Sequence, residues 1–283
     1  MIANHIGSLD RPDFTLAGVR GILRAVKLSV VIITFNEEAN LPRTLESVSA
    51  LVRNGQGEII VVDSGSNDRT VEIARSFGAR VFVEPWKGYA AQKNSAIEKA
   101  TGEWILSLDA DESLESGLPE EIRSAIEKGE GCSAFWIPRK NFFLGRWISH
   151  GGYWPDPKLR FFRRGTAKFE SRLVHEDAKL TTGAAGQLKH ALVHHSYPSL
   201  ADYIDHMNRY SSLAAEMAAA QGHSSFSRID IVLRPFFTFV YNYFFRLGFL
   251  DGREGLLLHL YHSFYVSWKY AKAWELGRSR VSQ

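Results

Sequence analysis

Trp104-Ile105-Leu106-Ser107-Leu108-Asp109-Ala110-Asp111-Glu112 is an apolar run that ends abruptly in acids. Its length and hydrophobicity fit a strand buried on both faces. Asp109 and Asp111 then emerge at the carboxyl end of that strand, where open α/β sheets place their ligands. Carboxylates brought this close repel each other, and a divalent cation is the usual way to offset the repulsion. Hard oxygen ligands at an open strand end suit Mg²⁺ or Mn²⁺, either of which can grip a diphosphate.

Upstream, the pattern alternates. Leu28 to Ile33 and Glu58 to Asp63 are β-branched runs, too apolar on both faces for solvent-facing strands, and Arg80 to Val83 is a short third one. Between them, Asn36 to Asn54 reads as a helix with Leu41, Leu45, Val48 and Leu51 on one face and Pro42 in its first turn. Thr70 to Phe77, closed by Gly78, and Tyr89 to Ala100 complete the series. Strands alternating with helices predict an α/β fold with a mainly parallel sheet covered on both faces. Pro119 to Lys128 is a further helix; residues 134–138 and 158–163 read as strands around a loop rich in Gly, Trp and Tyr. From Leu200 onward the chain reads as helical, over residues 201–221, 229–249 and 255–276. The expected division is an extension over 1–26, a catalytic domain over 27–198 and a helical region over 199–283.

Composition narrows the classes. The chain has 283 residues, 45% hydrophobic and 23% charged, enough for a proper core. A net charge of +3 argues against a dedicated nucleic-acid binder. The single cysteine, Cys132, excludes an internal disulfide and fits a reducing compartment. Residues 1–26 lack a sustained apolar segment before a cleavage site, so a cytoplasmic location is expected.

Three predicted strand ends converge on one rim: Thr34-Phe35-Asn36-Glu37, Asp63-Ser64-Gly65-Ser66-Asn67-Asp68 and Asp109-Ala110-Asp111. Taken in order with the strands before them, they resemble the family 2 glycosyltransferases with the GT-A (Rossmann-like) fold. The resemblance runs from about Leu28 to Tyr197. It implies an inverting transferase acting on a nucleotide sugar, a UDP-hexose above all, with Asp109 and Asp111 holding ribose and metal and Asp111 the direct ligand. It also implies nucleoside contacts from Thr34, Asn36, Glu37 and Asp63. Lys87 and Lys93 are either phosphate contacts or solvated lysines. Beyond the acid pair, Val174-His175-Glu176-Asp177 supplies a base for the acceptor hydroxyl, with Glu176 placed ahead of Asp177.

Acceptor contacts are sought at Trp154, Arg160, Arg163 and His175. The arginines flank Phe161-Phe162 either as an anion-facing wall or as a solvated strand edge. His194-His195 is too compact for a zinc site and reads as core or acceptor-side residues. Trp154-Pro155-Asp156, Leu159 to Arg164 and Gly248 to Gly255 resemble the lipopolysaccharide-core glucosyltransferase type within the family. That implies a lipopolysaccharide-core or other cell-envelope glycan acceptor; a polyprenyl phosphate acceptor is the nearer rival and a non-catalytic sugar-nucleotide binder the more distant one. A nucleotidyltransferase would want a Gly-rich loop after the first strand, and Thr34 to Glu37 offers none.

Pro235 to Phe245 carries five phenylalanines and two tyrosines between Arg234 and Arg246. Neither it nor Gly255 to Trp268 reaches the roughly 20 residues that cross a bilayer. Aromatic helices with basic flanks suit a membrane interface, peripheral on the inner leaflet; a buried helical layer or a homodimer seam is the other reading.

Overall fold

The computed structural model describes residues 27–128, 131–170 and 177–281. The 1–26 extension lies outside them, as do His175 and Glu176. The alternating segments fold as their patterns require. β1 (Leu28–Thr34), β2 (Gly57–Asp63), β3 (Arg80–Val83) and β4 (Trp104–Asp109) run parallel, linked by α1 (Leu41–Val52), α2 (Thr70–Ser76) and α3 (Tyr89–Glu98). Then follow β5 (Glu112–Leu114), α4 (Leu118–Lys128), β6 (Cys132–Ile137), β7 (Arg139–Phe143), β8 (Arg146–Trp147) and β9 (Lys158–Arg163). The remainder comprises β10 (Ala167–Phe169), β11 (Ala178–Leu180), β12 (Ala184–Gln187), β13 (Leu192–Tyr197), α5 (Leu200–Ala220), α6 (Arg234–Val240) and α7 (Gly252–Val281).

The main sheet has the order β12-β6-β9-β4-β1-β2-β3, and β9 alone runs against the rest. Successive strand residues face opposite layers. Val30 and Ile32 pack with Leu41, Leu45 and Ile122 of α1 and α4, while Val31 and Ile33 pack with Ala90 and Ala96 of α3. This two-layer burial makes the strands apolar throughout, and the fold class is the α/β one read from sequence.

A second sheet, β5-β13-β7-β8, hangs from the end of β4. Only Ala110 and Asp111 separate β4 from β5, so whatever pairs with β5 is held beside the acid pair. That strand is β13, with His194 opposite Glu112.

Two boundaries differ from expectation. Residues 36–40 are not helical: Asn36 has a left-handed backbone (φ 54°), and this stretch is tied to the loop after β2. The helix expected over 229–249 ends at Phe245, because Leu247 turns left-handed (φ 60°) before Gly248–Asp251 reverses the chain into α7. Wide π-helical turns at Ile229–Leu233 and Tyr241–Phe245 flank α6. Ser199 caps α5 by accepting a hydrogen bond from the Asp202 amide (3.1 Å), which fixes the start of the helical region.

That region is fastened to the rest. Phe143 and Ile148 share an apolar cluster with Tyr203 and Leu258. Buried Asp251 accepts hydrogen bonds from the amides of Ser149 (3.2 Å) and His150 (2.8 Å) and contacts His150 Nδ1 (3.0 Å). His259 is 1% exposed and its ring fills the space beside Gly151 and Gly248; a Cβ on Gly151 would lie 2.0 Å from its Cε1. Burial without a hydrogen-bond partner for either ring nitrogen pushes its pKa down to about 4 from the ordinary 6.5. A depressed histidine is neutral when folded, so its contribution is complete above pH 6.5 and is lost as pH falls toward about 4. Thermal unfolding across that window should therefore show a loss on the order of 3 kcal/mol that His259→Gln flattens. An unchanged pH slope in the variant would remove this assignment.

Candidate active site

The site is assembled at the carboxyl rim of the sheet, where β1, β2 and β4 end side by side. Thr34 is in register with Asp63 and Ile33 with Asp109, so the two acids lie two strands apart, about 10 Å. The first two loops are laced together. Asn36 and Glu37 donate backbone N–H bonds to Ser66 Oγ (2.8 Å) and Thr70 Oγ1 (2.7 Å), and Asn67 N–H returns one to Asn36 Oδ1 (2.9 Å).

Asp63 organises this lacing and is fully buried. Its carboxylate accepts from Thr34 Oγ1 (2.9 Å), Ser66 Oγ (2.5 Å) and the amides of Gly65 (2.9 Å) and Ser66 (2.8 Å). These four donors from its own chain shape the loop on which nucleoside contacts from Asp63 and Thr34 are expected. Glu37 is half-buried and receives Asn40 Nδ2 (2.9 Å). Burial raises its pKa, and the negative charges of Asp111, Asp109 and Asp68 add to the rise.

The two acids of Asp109-Ala110-Asp111 have different surroundings. Asp109 is clamped: Oδ1 meets Lys93 Nζ of α3 at 2.6 Å and Oδ2 meets Arg160 Nη2 of β9 at 2.5 Å. Burial opposes its ionisation, but the Arg160 and Lys93 charges outweigh burial and hold Asp109 far below the usual carboxylate range. From Arg160 the ion pairs continue to buried Glu112 (3.3 Å), then to Arg139 (3.1 Å), Asp156 (2.8 Å) and Lys158 (3.2 Å). Lys158 reaches Asp177 at 3.7 Å, at the edge of the segment carrying Glu176. The ring of Phe169 neighbours both cations, with Lys93 Nζ 5.1 Å and Arg160 Cζ 5.9 Å from its centroid.

Asp111 is left to the cleft. Its one ion-pair partner among the described residues is His194, with Nε2 at 3.2 Å from Oδ2. Burial again works against the charge, and His194 more than compensates, so the pKa of Asp111 is lowered. Asn141 sets the imidazole. Its Nδ2 donates to Asp156 Oδ2 (2.9 Å), which turns Oδ1 toward His194 Nδ1 (2.9 Å). Ser196 Oγ also meets Nδ1 (2.7 Å), so two side chains hold the ring while Nε2 faces the Asp111 carboxylate.

That donor set fits Mg²⁺ or Mn²⁺, which take one or two protein ligands and complete their shell with phosphate and water. Among the described residues no cluster of three or more His, Cys, Asp or Glu could hold a metal by itself. Asp109, the other expected metal ligand, has both oxygens paired with cations, whereas Asp111 has His194 beside it. Cross-strand pairing of β13 with β5 and β7 brings His194 there, a long-range contact with no local signature in the sequence.

Other expected residues sort by position. Lys93 and Arg160 are buried supports of Asp109 rather than free phosphate or acceptor contacts. Arg163 is corrected outright: it pairs with Trp104 at the opposite end of β4, roughly 16 Å along the strand from Asp109, and bonds Glu103. Lys87 is exposed in the turn before α3 and pairs with Glu84 (3.0 Å). Trp154 is half-buried, edge-on to Trp147 with centroids 5.4 Å apart, one residue from Pro155 and two from Asp156.

Comparison with known proteins gives the family. The Glycosyl transferase family 2 profile matches residues 29–185. A lipopolysaccharide core biosynthesis glycosyltransferase of Rhizobium meliloti, LpsC, is 31% identical over 241 residues, covering 80% of this chain and 82% of that protein. An uncharacterized glycosyltransferase of Rickettsia typhi is 30% identical over 261 residues, covering 89% and 88%. The solved structure of S. aureus TarS (residues 1–349) aligns over 89% of this chain and 92% of its own at a TM-score of 0.45 and 16% identity. The chain belongs to glycosyltransferase family 2.

The different surroundings of the two acids give a direct test. Asp109→Ala strips buried Lys93 of its carboxylate and leaves Arg160 only Glu112, and should cost about 3–5 kcal/mol in urea unfolding. Asp111→Asn, which strands no buried cation, should stay within about 1 kcal/mol of the parent. Equal losses would show that the clamp does not distinguish them.

Proposed function

We propose that this family 2 enzyme is an inverting hexosyltransferase that moves a hexose, glucose as first choice, from a UDP-sugar to a lipopolysaccharide-core or other cell-envelope glycan, with a divalent cation as cofactor. The observation that carries the reading is Asp111 beside His194 Nε2, at the strand-end rim where the β1 loop with Glu37 also lies. A cation bound by that pair would supply Lewis-acid neutralisation of the diphosphate.

The chain's own residues supply the rest. The β1 and β2 loops, laced by Asp63, Ser66 and Thr70, form the wall proposed for the nucleoside, with Asn36 and Glu37 its accessible groups. The clamp on Asp109 keeps its backbone in place, so that Asp111, two residues on, is presented in one geometry. We assign the general base to Glu176 on the sequence; Asp177 beside Lys158 marks where that segment rejoins the site. The carboxylate takes the acceptor hydroxyl proton as the oxygen bonds to the anomeric carbon. The bond from that carbon to the diphosphate oxygen breaks, and its electron pair leaves with UDP. One such displacement inverts the anomeric centre. The core-glycan acceptor follows the name of the R. meliloti relative and the Trp154-Pro155-Asp156 segment, whose tryptophan we propose stacks on a sugar ring. The rival polyprenyl phosphate acceptor loses its main support, because Arg160 is buried and Arg163 lies at the far end of the strand.

Thermal stabilisation by UDP-, GDP- and dTDP-sugars, with and without Mn²⁺, separates donors, since only ligands of the native state raise stability. UDP-glucose with Mn²⁺ at about a hundredfold its dissociation constant should add roughly 2.7 kcal/mol. Asp111→Asn and His194→Ala should each abolish the Mn²⁺-dependent part. Metal-independent stabilisation, or an unaffected His194→Ala, would overturn the cation site. Glu176→Gln should retain donor binding while transfer slows by about 10²-fold or more. Full transfer in that variant would return the base role to Asp177.

A further inference from the structure

The segment from Phe226 to Phe264 has an outward surface unlike the rest of the chain. Every exposed residue in this span is a large hydrophobic, one of four arginines, or Gly252. The arginines are Arg228, Arg234, Arg246 and Arg253. The three acids of the span are not among the exposed residues: Asp251 is buried against Ser149 and His150, Asp230 is tied to Arg234 (2.7 Å) and Glu254 lies near Arg146 (3.8 Å).

The exposed hydrophobics follow helical spacing. Ile229, Leu233, Phe237, Tyr241 and Phe245 recur every four residues, with exposures between 47% and 75%. Val232, Phe236 and Phe244 lie beside them at three-residue offsets and are equally open. Neighbours at three and four residues share one helix face, so the outer face of this segment is apolar. Its inner face, with Pro235, packs toward α7. A helix that shows water its apolar stripe, rimmed by cations alone, is the reverse of a surface helix and matches one that lies in a lipid interface. No helix among the described residues is long and apolar enough to cross a membrane.

We propose that Phe226–Phe264 is a docking surface for an anionic phospholipid bilayer, with the aromatic stripe among the acyl chains and the four arginines at the head groups. Arginine near acidic lipid is favoured by surface potential, and apolar burial supplies the rest. The same segment is fixed to the catalytic part. Arg246 O accepts the Gly151 amide (2.9 Å), Asp251 holds Ser149 and His150, and that loop continues through Trp154 to Asp156 in the ion-pair chain of the site. Docking therefore presents the proposed acceptor side of the cleft at a fixed orientation to the lipid surface. This purpose rests on the transferase reading; the docking itself does not.

The test uses the purified full chain and vesicles free of glycan and nucleotide sugar, so that its outcome is independent of transfer. Flotation with phosphatidylcholine vesicles is compared with flotation on phosphatidylcholine–phosphatidylglycerol vesicles at low and high salt. The expected result is co-flotation with the anionic vesicles, weakened by salt and on neutral vesicles. Phe237→Ser with Phe245→Ser should reduce binding roughly tenfold or more at an unchanged melting temperature. Arg228→Gln with Arg253→Gln, which leaves the stripe intact, should remove the preference for anionic lipid. A parent protein that stays with neither vesicle would overturn the proposal. So would a stable dimer by light scattering that the Phe237→Ser, Phe245→Ser protein no longer forms, since the stripe would then belong to a second copy of the chain.

Discussion

One carboxylate held between two buried cations governs this site. Asp109 closes β4, and Lys93 from α3 and Arg160 from the adjacent strand β9 both reach it. A buried ion pair is weak evidence of stability, because desolvation offsets much of the attraction, but removing one partner is costly. The clamp therefore acts as a constraint. It fixes the end of the strand, neutralises one of two neighbouring acids and lets the other face the cleft without an unscreened like charge beside it. The chain of pairs onward through Glu112, Arg139 and Asp156 extends that constraint to Asn141, and through Asn141 to the imidazole of His194.

The architecture explains why the second sheet matters to the first. β5 begins at Glu112, directly after the acid pair, and its pairing with β13 carries His194 to Asp111 from more than 80 residues downstream, while β7 on the other side supplies Asn141. Four strands of a small sheet thus serve as a jig for one histidine. The helical region joins the same construction through Asp251 and His259, which meet the loop leading to Trp154 and Asp156.

The parallel strands and their helices were legible because burial on both faces leaves a contiguous apolar signature, and β1, β2 and β4 carry it in full. The rim motifs were legible because turn chemistry is local: Asp63 followed by Gly65, Ser66 and Asn67 reads as a strand-ending loop. Roles were less legible than places. Asp109 and Asp111 look equivalent in sequence, and only Lys93 and Arg160, 16 residues before and 51 after Asp109, tell them apart. Arg160 and Arg163 looked alike on one strand, yet three residues along β9 separates the site rim from the opposite edge of the sheet. His194 reads in sequence only as a core or acceptor-side residue, because its partners come from β5 and β7 and non-local strand pairing has no periodicity to read. In the tail, the aromatic composition was plain, but which face points outward depends on packing against α7.

The account is tested most directly by a crystal structure with UDP and Mn²⁺, the cation located by anomalous scattering. The account predicts the manganese peak within bonding distance of Asp111 and His194 Nε2, with Asp109 still paired to Lys93 and Arg160. A peak shared by Asp109 and Asp111, with His194 turned away and the clamp opened, would contradict it.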